Sequence, residues 1–155
     1  VSGNEIRYRV GFGDESVDKT LHLIKLSVGS ESVESLIEWQ RANDRYFHVT
    51  RMWPKRDKYI LETGGSIFWV IQGRCQARQK ITDFEEVIGD DGIRRCAIML
   101  ERDLVRVEPT RKRPFQGWRY LAGRDAPRDL ATGVLPDGGE LPHQLMAALA
   151  EIGVR

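Results

Sequence analysis

Ser66-Ile67-Phe68-Trp69-Val70-Ile71-Gln72-Gly73-Arg74-Cys75-Gln76-Ala77-Arg78-Gln79 is the stretch whose reading decides the fold. Ser66 to Ile71 is the most strand-like run of the chain, β-branched and aromatic nearly throughout. Phe68 and Trp69 are neighbours on that strand and face opposite ways, so one belongs to the core and the other packs under a helix or lines a pocket. Gly73 permits a turn or bulge, and a second, long strand runs from Cys75 to about Val87, bent near Thr82-Asp83. Gly89-Asp90-Asp91-Gly92 has hairpin chemistry, since Asp and Gly tolerate positive φ. Ile93 to Leu100 then returns as the partner strand, Leu104 to Val107 makes another, and Pro109 closes it.

Upstream, Leu21 to Val28 reads as a largely buried strand that Gly29 and Ser30 break. Val33, Leu36, Ile37 and Gln40 recur at helical spacing from Ser32 to about Ala42, with Glu31 and Glu34 where the helix dipole favours acids. Asn43 and Asp44 end that helix. Phe47 to Met52 forms a short strand stopped by Pro54, which cannot donate to a ladder. A loop or single turn covers Asp57 to Leu61, and Gly64-Gly65 is a turn. Downstream, residues 110–137 are irregular apart from a strand at Trp118–Leu121 and a helical turn begun by Pro127. Pro142 suits the first turn of a last helix whose stripe is Leu145, Leu149 and Ile152. The order predicts an α+β fold, a small, mostly antiparallel sheet that curls or closes into a pseudo-barrel, with two flanking helices. Residues 1–19 are expected to be a flexible extension or an edge strand, and residues 20–155 a single domain.

A length of 155 residues suits one core. No apolar run approaches the ~20 residues that span a bilayer. The N-terminus lacks the basic-then-apolar pattern of a secretory leader, so Cys75 and Cys96 are expected as buried, reduced thiols and the protein as cytoplasmic. Net charge is only +1, but residues 51–128 carry 17 Lys/Arg against 11 Asp/Glu, a local net of +6. A local positive field attracts anions even when the whole chain is near neutral.

Two segments lie in that basic stretch, Thr50-Arg51-Met52-Trp53-Pro54-Lys55-Arg56 and Arg111-Lys112-Arg113-Pro114-Phe115-Gln116-Gly117-Trp118-Arg119-Tyr120. Both place large rings among fixed cations, which suits something planar and anionic. Arg51, Lys55, Arg56 and Arg113 could hold phosphates, as guanidinium forks do. Trp53 and Trp118 could stack on a base, and Gln116 could read its edge. Arg113 and Arg119 flank Phe115, Gln116 and Trp118, and Arg78 sits mid-strand. The competing structural readings are plain. Both tryptophans could cap the core, the cations could be ordinary solvated charge, Arg78 could pair with Asp83 or Glu85, and Gln116 could tie down its own loop.

The runs Leu21–Leu26, Thr50–Arg56, Gly64–Gly73, Ala77–Gln79 and Arg113–Leu121 together resemble a bacterial family of about this length, known only as a domain of unknown function. The resemblance covers roughly residues 20 to 130 and carries no activity. A basic loop, a Gly-Gly turn, a hydrophobic strand and a long Ala-Arg-Gln strand are also similar to the PUA-like superfamily, which includes PUA, ASCH, EVE and YTH domains. That likeness implies a small pseudo-barrel that binds RNA or modified bases in an aromatic-lined pocket.

Catalytic signatures are few. His22, His48 and His143 are not spaced as a metal set, Cys75 and Cys96 form no CxxC pair, and no Walker loop, GxSxG or GxGxxG occurs. Neither metal nor cofactor is expected. The leading expectation is therefore a non-catalytic RNA- or nucleotide-binding module. A small hydrolase acting on a nucleoside-like ligand is the first alternative, with Lys55 and Glu62, or Asp57, as its polar centre; the second is a protein-interaction or homodimerising domain whose aromatics form the contact.

Overall fold

A computed structural model describes residues 19–130. Six strands and two α-helices follow in the order β1 (Leu21–Leu26), α1 (Val33–Asn43), β2 (Phe47–Thr50), α2 (Asp57–Thr63), β3 (Ser66–Ile71), β4 (Arg74–Ile88), β5 (Arg94–Arg111) and β6 (Trp118–Ala122), with a short 3-10 turn at Gly123–Asp125. The strands form one mixed sheet in the order β2-β5-β4-β3-β1-β6. No ladder joins β2 to β6, so the sheet curls without closing, and the fold is α+β.

β3 lies inside the sheet, and all six of its residues are buried. Its two neighbours differ in sense. The pairing with β4 is antiparallel, through the tight Gln72-Gly73 turn where both residues have positive φ. The pairing with β1 is parallel, Leu23 opposite Ile67 and Lys25 opposite Trp69. The sheet is mostly antiparallel, as the consecutive strands predict. The β1–β3 pair is parallel because α1, β2 and α2 together form the long crossover that a parallel connection needs.

Two further differences have local causes. The expected strands at Ile93–Leu100 and Leu104–Val107 are one continuous strand, β5. Between the pairs Ile81–Leu100 and Gln79–Leu104 the β5 side advances two residues more than β4, so the polar Glu101-Arg102-Asp103 step is a bulge rather than a turn. Asp57–Thr63 is a seven-residue helix, not a loop, despite an uncapped N-terminus at Arg56. Gly64 ends it in the left-handed conformation at φ 76°. The expected helix α1 forms as read: Ser32 caps it, Ser35 completes a reciprocal capping box, and Asp44 closes it at φ 47°. The helical turn expected from Pro127 is instead the 3-10 turn just before it. The last helix after Pro142 and the extension of residues 1–18 lie outside the described residues.

The sheet buries both faces. On one, Leu21, Leu23, Ile67, Trp69, Ile81 and Ile98 pack under Val33 and Leu36 of α1 and Ile60 of α2. On the other, Ile24, Phe68, Val70, Cys75, Val107 and Leu121 form a smaller cluster, edged by Phe115 and Ala126. Phe68 and Trp69 thus both enter a core, one on each side. The chain after β6 returns to β5, where the Glu108 N–H donates to the Arg128 carbonyl and the Leu130 N–H to the Arg106 carbonyl. Cys75 and Cys96 are buried free thiols.

Candidate functional site

The loop after β2 and the start of β6 meet across the gap in the sheet. The Trp118 indole N–H donates to the Met52 carbonyl at 2.9 Å, joining positions 66 residues apart. The Tyr120 hydroxyl accepts from the Arg56 N–H at 3.1 Å, and the Trp118 and Tyr120 rings meet edge to face at 5.0 Å. Arg51, Trp53, Lys55 and Arg56 therefore share one shoulder of the protein with Trp118. Pro54, buried, anchors this loop. Trp53 lies half-buried against the first core. Its indole N–H donates to Asp57 Oδ2 at 2.8 Å, and the Arg94 guanidinium, which also binds Glu86, sits 4.6 Å from its ring.

Among the described residues, Arg51, Lys55 and Arg56 have no carboxylate partner. Arg51 and Lys55 are exposed and make no ion pair with any described residue. The Arg56 guanidinium lies 4.7 Å over Tyr59, an aromatic contact that leaves its charge uncancelled. Asp57 is differently placed. One of its oxygens accepts from Trp53 and the other from the Lys58 N–H at 2.7 Å, so both are engaged in holding the loop.

Strand register assigns Arg119 and Arg78 to the other face. Cross-strand partners point to the same side of a sheet. Trp118, Lys25 and Trp69 are in line and lie on the first face, whereas Arg119, Ile24, Phe68 and Arg78 are in line on the second. The Arg119 guanidinium covers Phe115 at 4.8 Å there. Arg78 is bidentate to Asp129, at 2.7 and 2.8 Å, and also donates to Ser66 Oγ at 3.1 Å. Its partner is neither Asp83 nor Glu85, because the returning chain brings Asp129 beside β5 through the Val107–Asp129 bridge. Arg113 and Gln116 are exposed in the loop leading to β6.

A cleft of about 550 Å³ opens on the first face between the end of β1, α1 and β2. Its lining includes Lys25, Trp39, Arg45, Phe47, His48 and Trp69. The Arg45 guanidinium lies 5.6 Å from the Trp39 ring and 4.8 Å from Phe47. His48 meets Trp69 edge to face at 5.9 Å. The floor is a closed amide network. Gln79 Oε1 accepts from Gln40 Nε2 and from the Trp69 indole, each at 3.1 Å. Gln79 Nε2 in turn donates to Gln40 Oε1 at 2.9 Å and to the Glu101 carbonyl at 2.8 Å. The cleft walls are otherwise. Neither the Lys25 ammonium nor the His48 ring hydrogen-bonds a described residue. Burial, with Lys25 and Arg45 adding positive charge, pulls the imidazole down to about 4, so it is neutral at pH 7. Burial also lowers Lys25 from the ordinary lysine value. Sequence reasoning did not single out this cleft. Its one legible signal was Trp39, a large ring among the charged positions of an amphipathic helix.

Among the described residues, no three His, Cys, Asp or Glu side chains are grouped to hold a metal ion. No helix there is long and apolar enough to cross a membrane.

Fold and site together define a small α+β domain whose curled sheet leaves a cationic, aromatic opening at its unclosed seam. Residues 23–155 match the DUF1489 family, described as a protein of unknown function, and the chain belongs to that family. This agrees with the unknown-function family expected from the motifs. No curated protein and no solved structure matches the chain, and the PUA-like likeness gains no support from these comparisons.

Proposed function

We propose that this protein binds single-stranded RNA or a nucleotide, without catalysis, through the shoulder built from Arg51, Trp53, Lys55, Arg56 and Trp118. The observation that carries this reading is the Trp118–Met52 hydrogen bond, which unites two aromatic-basic segments distant in sequence. Cations without carboxylate partners among the described residues, beside half-buried indoles, suit a phosphate backbone with stacking bases. The engagement of both Asp57 oxygens in the loop argues against Asp57 as the acid of a hydrolase.

Fluorescence anisotropy with a short labelled single-stranded RNA at two salt concentrations tests the reading. Binding should weaken with salt, and the double change Arg51→Ala with Arg56→Ala should lower the logarithmic salt slope by roughly 0.7 per lost phosphate contact. An unchanged affinity and slope would overturn it. A homodimer interface is the second reading, favoured by Met52, whose side chain is 67% exposed at the centre of the shoulder. Sedimentation showing a dimer that Met52→Asp dissociates would support that alternative.

A further inference from the structure

Lys25 connects the cleft to the shoulder. It lines the cleft, and in the sheet it stands directly opposite both Trp69 and Trp118. A polymer lying over Trp118 and the Arg51–Arg56 loop therefore passes the cleft mouth within one strand spacing, ~5 Å.

The cleft has the size and composition of a ligand pocket rather than a packing defect. Its volume, about 550 Å³, lies within the ~300–1,000 Å³ range of small-molecule sites. Trp39 and Phe47 supply rings beside the Arg45 guanidinium, and Trp39 is held 48% exposed at the opening. The charged lining is Lys25, Arg45 and the exposed Glu31, with His48 as the other titratable group. Glu31 forms no ion pair with a described residue. Gln40 and the Trp69 N–H are committed to the floor network, so Lys25 and His48, with Arg45 and Glu31, remain as polar groups for a ligand.

We propose that the cleft receives one unstacked base of the bound nucleotide or strand, and that it favours keto bases, guanine and uracil, over the amino bases adenine and cytosine. Lys25 decides the preference. An ammonium has three donors and no acceptor, so it matches O6 and N7 of guanine or O4 of uracil and is mismatched to the N6 and N4 amines that adenine and cytosine carry at the same position. Neutral His48 offers one donor and one acceptor, which complements the adjacent ring N–H and carbonyl of a keto base. This proposal rests on the RNA-binding reading of the shoulder but places the base-selective group elsewhere.

The experiment titrates the protein with GMP, UMP, AMP and CMP, following tryptophan fluorescence, and repeats anisotropy with oligo-U and oligo-A. GMP and UMP should bind about tenfold or more tightly than AMP and CMP, the scale of one good base-edge contact. Lys25→Met should erase the difference while retaining the melting transition, and Lys25→Arg should restore much of it. Arg51→Ala with Arg56→Ala should instead weaken every oligonucleotide alike. Oligonucleotide binding that depends on Arg51 and Arg56 but shows no base preference, or one that Lys25→Met leaves intact, overturns the cleft proposal and spares the shoulder. A Lys25-dependent preference for mononucleotides, with oligonucleotide affinity indifferent to Arg51 and Arg56, overturns the shoulder and spares the cleft. No binding of any probe at low salt overturns both.

Discussion

Gly65 has no room for a side chain. A Cβ there would lie 2.0 Å from the Leu21 carbonyl oxygen and 2.8 Å from Ile60 Cγ2, where α2, β1 and β3 converge. Because backbone must move to relieve the first contact, Gly65→Ala should destabilise the fold by about 3 kcal/mol, read as a lower midpoint in urea. Gln79 illustrates the opposite economy, a buried amide with every contact filled. Gln79→Leu would strand the Trp69 N–H, both Gln40 groups and the Glu101 carbonyl, costing about 2–4 kcal/mol by the same measurement. His22 gives a pH signature. Its Nδ1 accepts from the Ser66 N–H at 2.9 Å, which requires an unprotonated nitrogen. Burial, aided by the Arg78 charge, lowers it to about 4. The unfolded chain takes up a proton near pH 6.5 that the folded ring refuses until about 4, so stability is retained above 6.5 and lost as pH falls through that window. The loss should reach at most about 1.4 kcal/mol per pH unit from this residue. His22→Asn should lessen the dependence of urea midpoints on pH between 7 and 5, leaving the part that His48 contributes; an identical slope in the variant would refute the assignment.

Elements whose cause is local were legible, and those whose cause is tertiary were not. The β3–turn–β4 unit followed from β-branched and aromatic residues beside Gly73, and α1 from its stripe and acidic first turn. β5 was divided in reading because Glu101-Arg102-Asp103 looks like a turn. It stays extended because β4 spans the bulge and Gln79 catches the Glu101 carbonyl. The helix α2 has no capping side chain and too few residues to show a period; burial of Ile60 and the left-handed Gly64 make it. The β1–β3 pairing could not be read at all, since parallel register leaves no trace in either strand alone. At this scale the returning segment after β6 is testable. Asp129 holds Arg78 in a bidentate pair, with the Arg78 side chain 27% exposed. Asp129→Ala should loosen that segment, speeding proteolysis after Arg124 and Arg128, while Asp83→Ala should not.

Across the whole chain, the two aromatic-basic segments were legible as special but not as neighbours of a cleft. Their rings and cations are a compositional signal. The cleft depends on which strand faces α1, and the division of Trp118 from Arg119, or of Trp69 from Phe68, between two faces depends on register. Lys25 and His48 sit in ordinary strand sequence, so nothing in composition marks them. The unclosed seam has a consequence for motion. Opposite edges of the sheet are held there by single contacts, Trp118 to Met52 and Tyr120 to the Arg56 backbone, where a ladder would supply many. Opening the seam thus breaks few bonds and should occur far below the free energy of global unfolding. Amide hydrogen exchange should show β2 and β6 exchanging by local opening while β3 and the inner part of β4 exchange only when the whole protein unfolds. Trp118→Phe, which keeps an aromatic ring but removes the indole N–H, should accelerate exchange at both edges together. The seam would then behave as a latch, whose breathing sets how often the interior of the curled sheet is open to solvent.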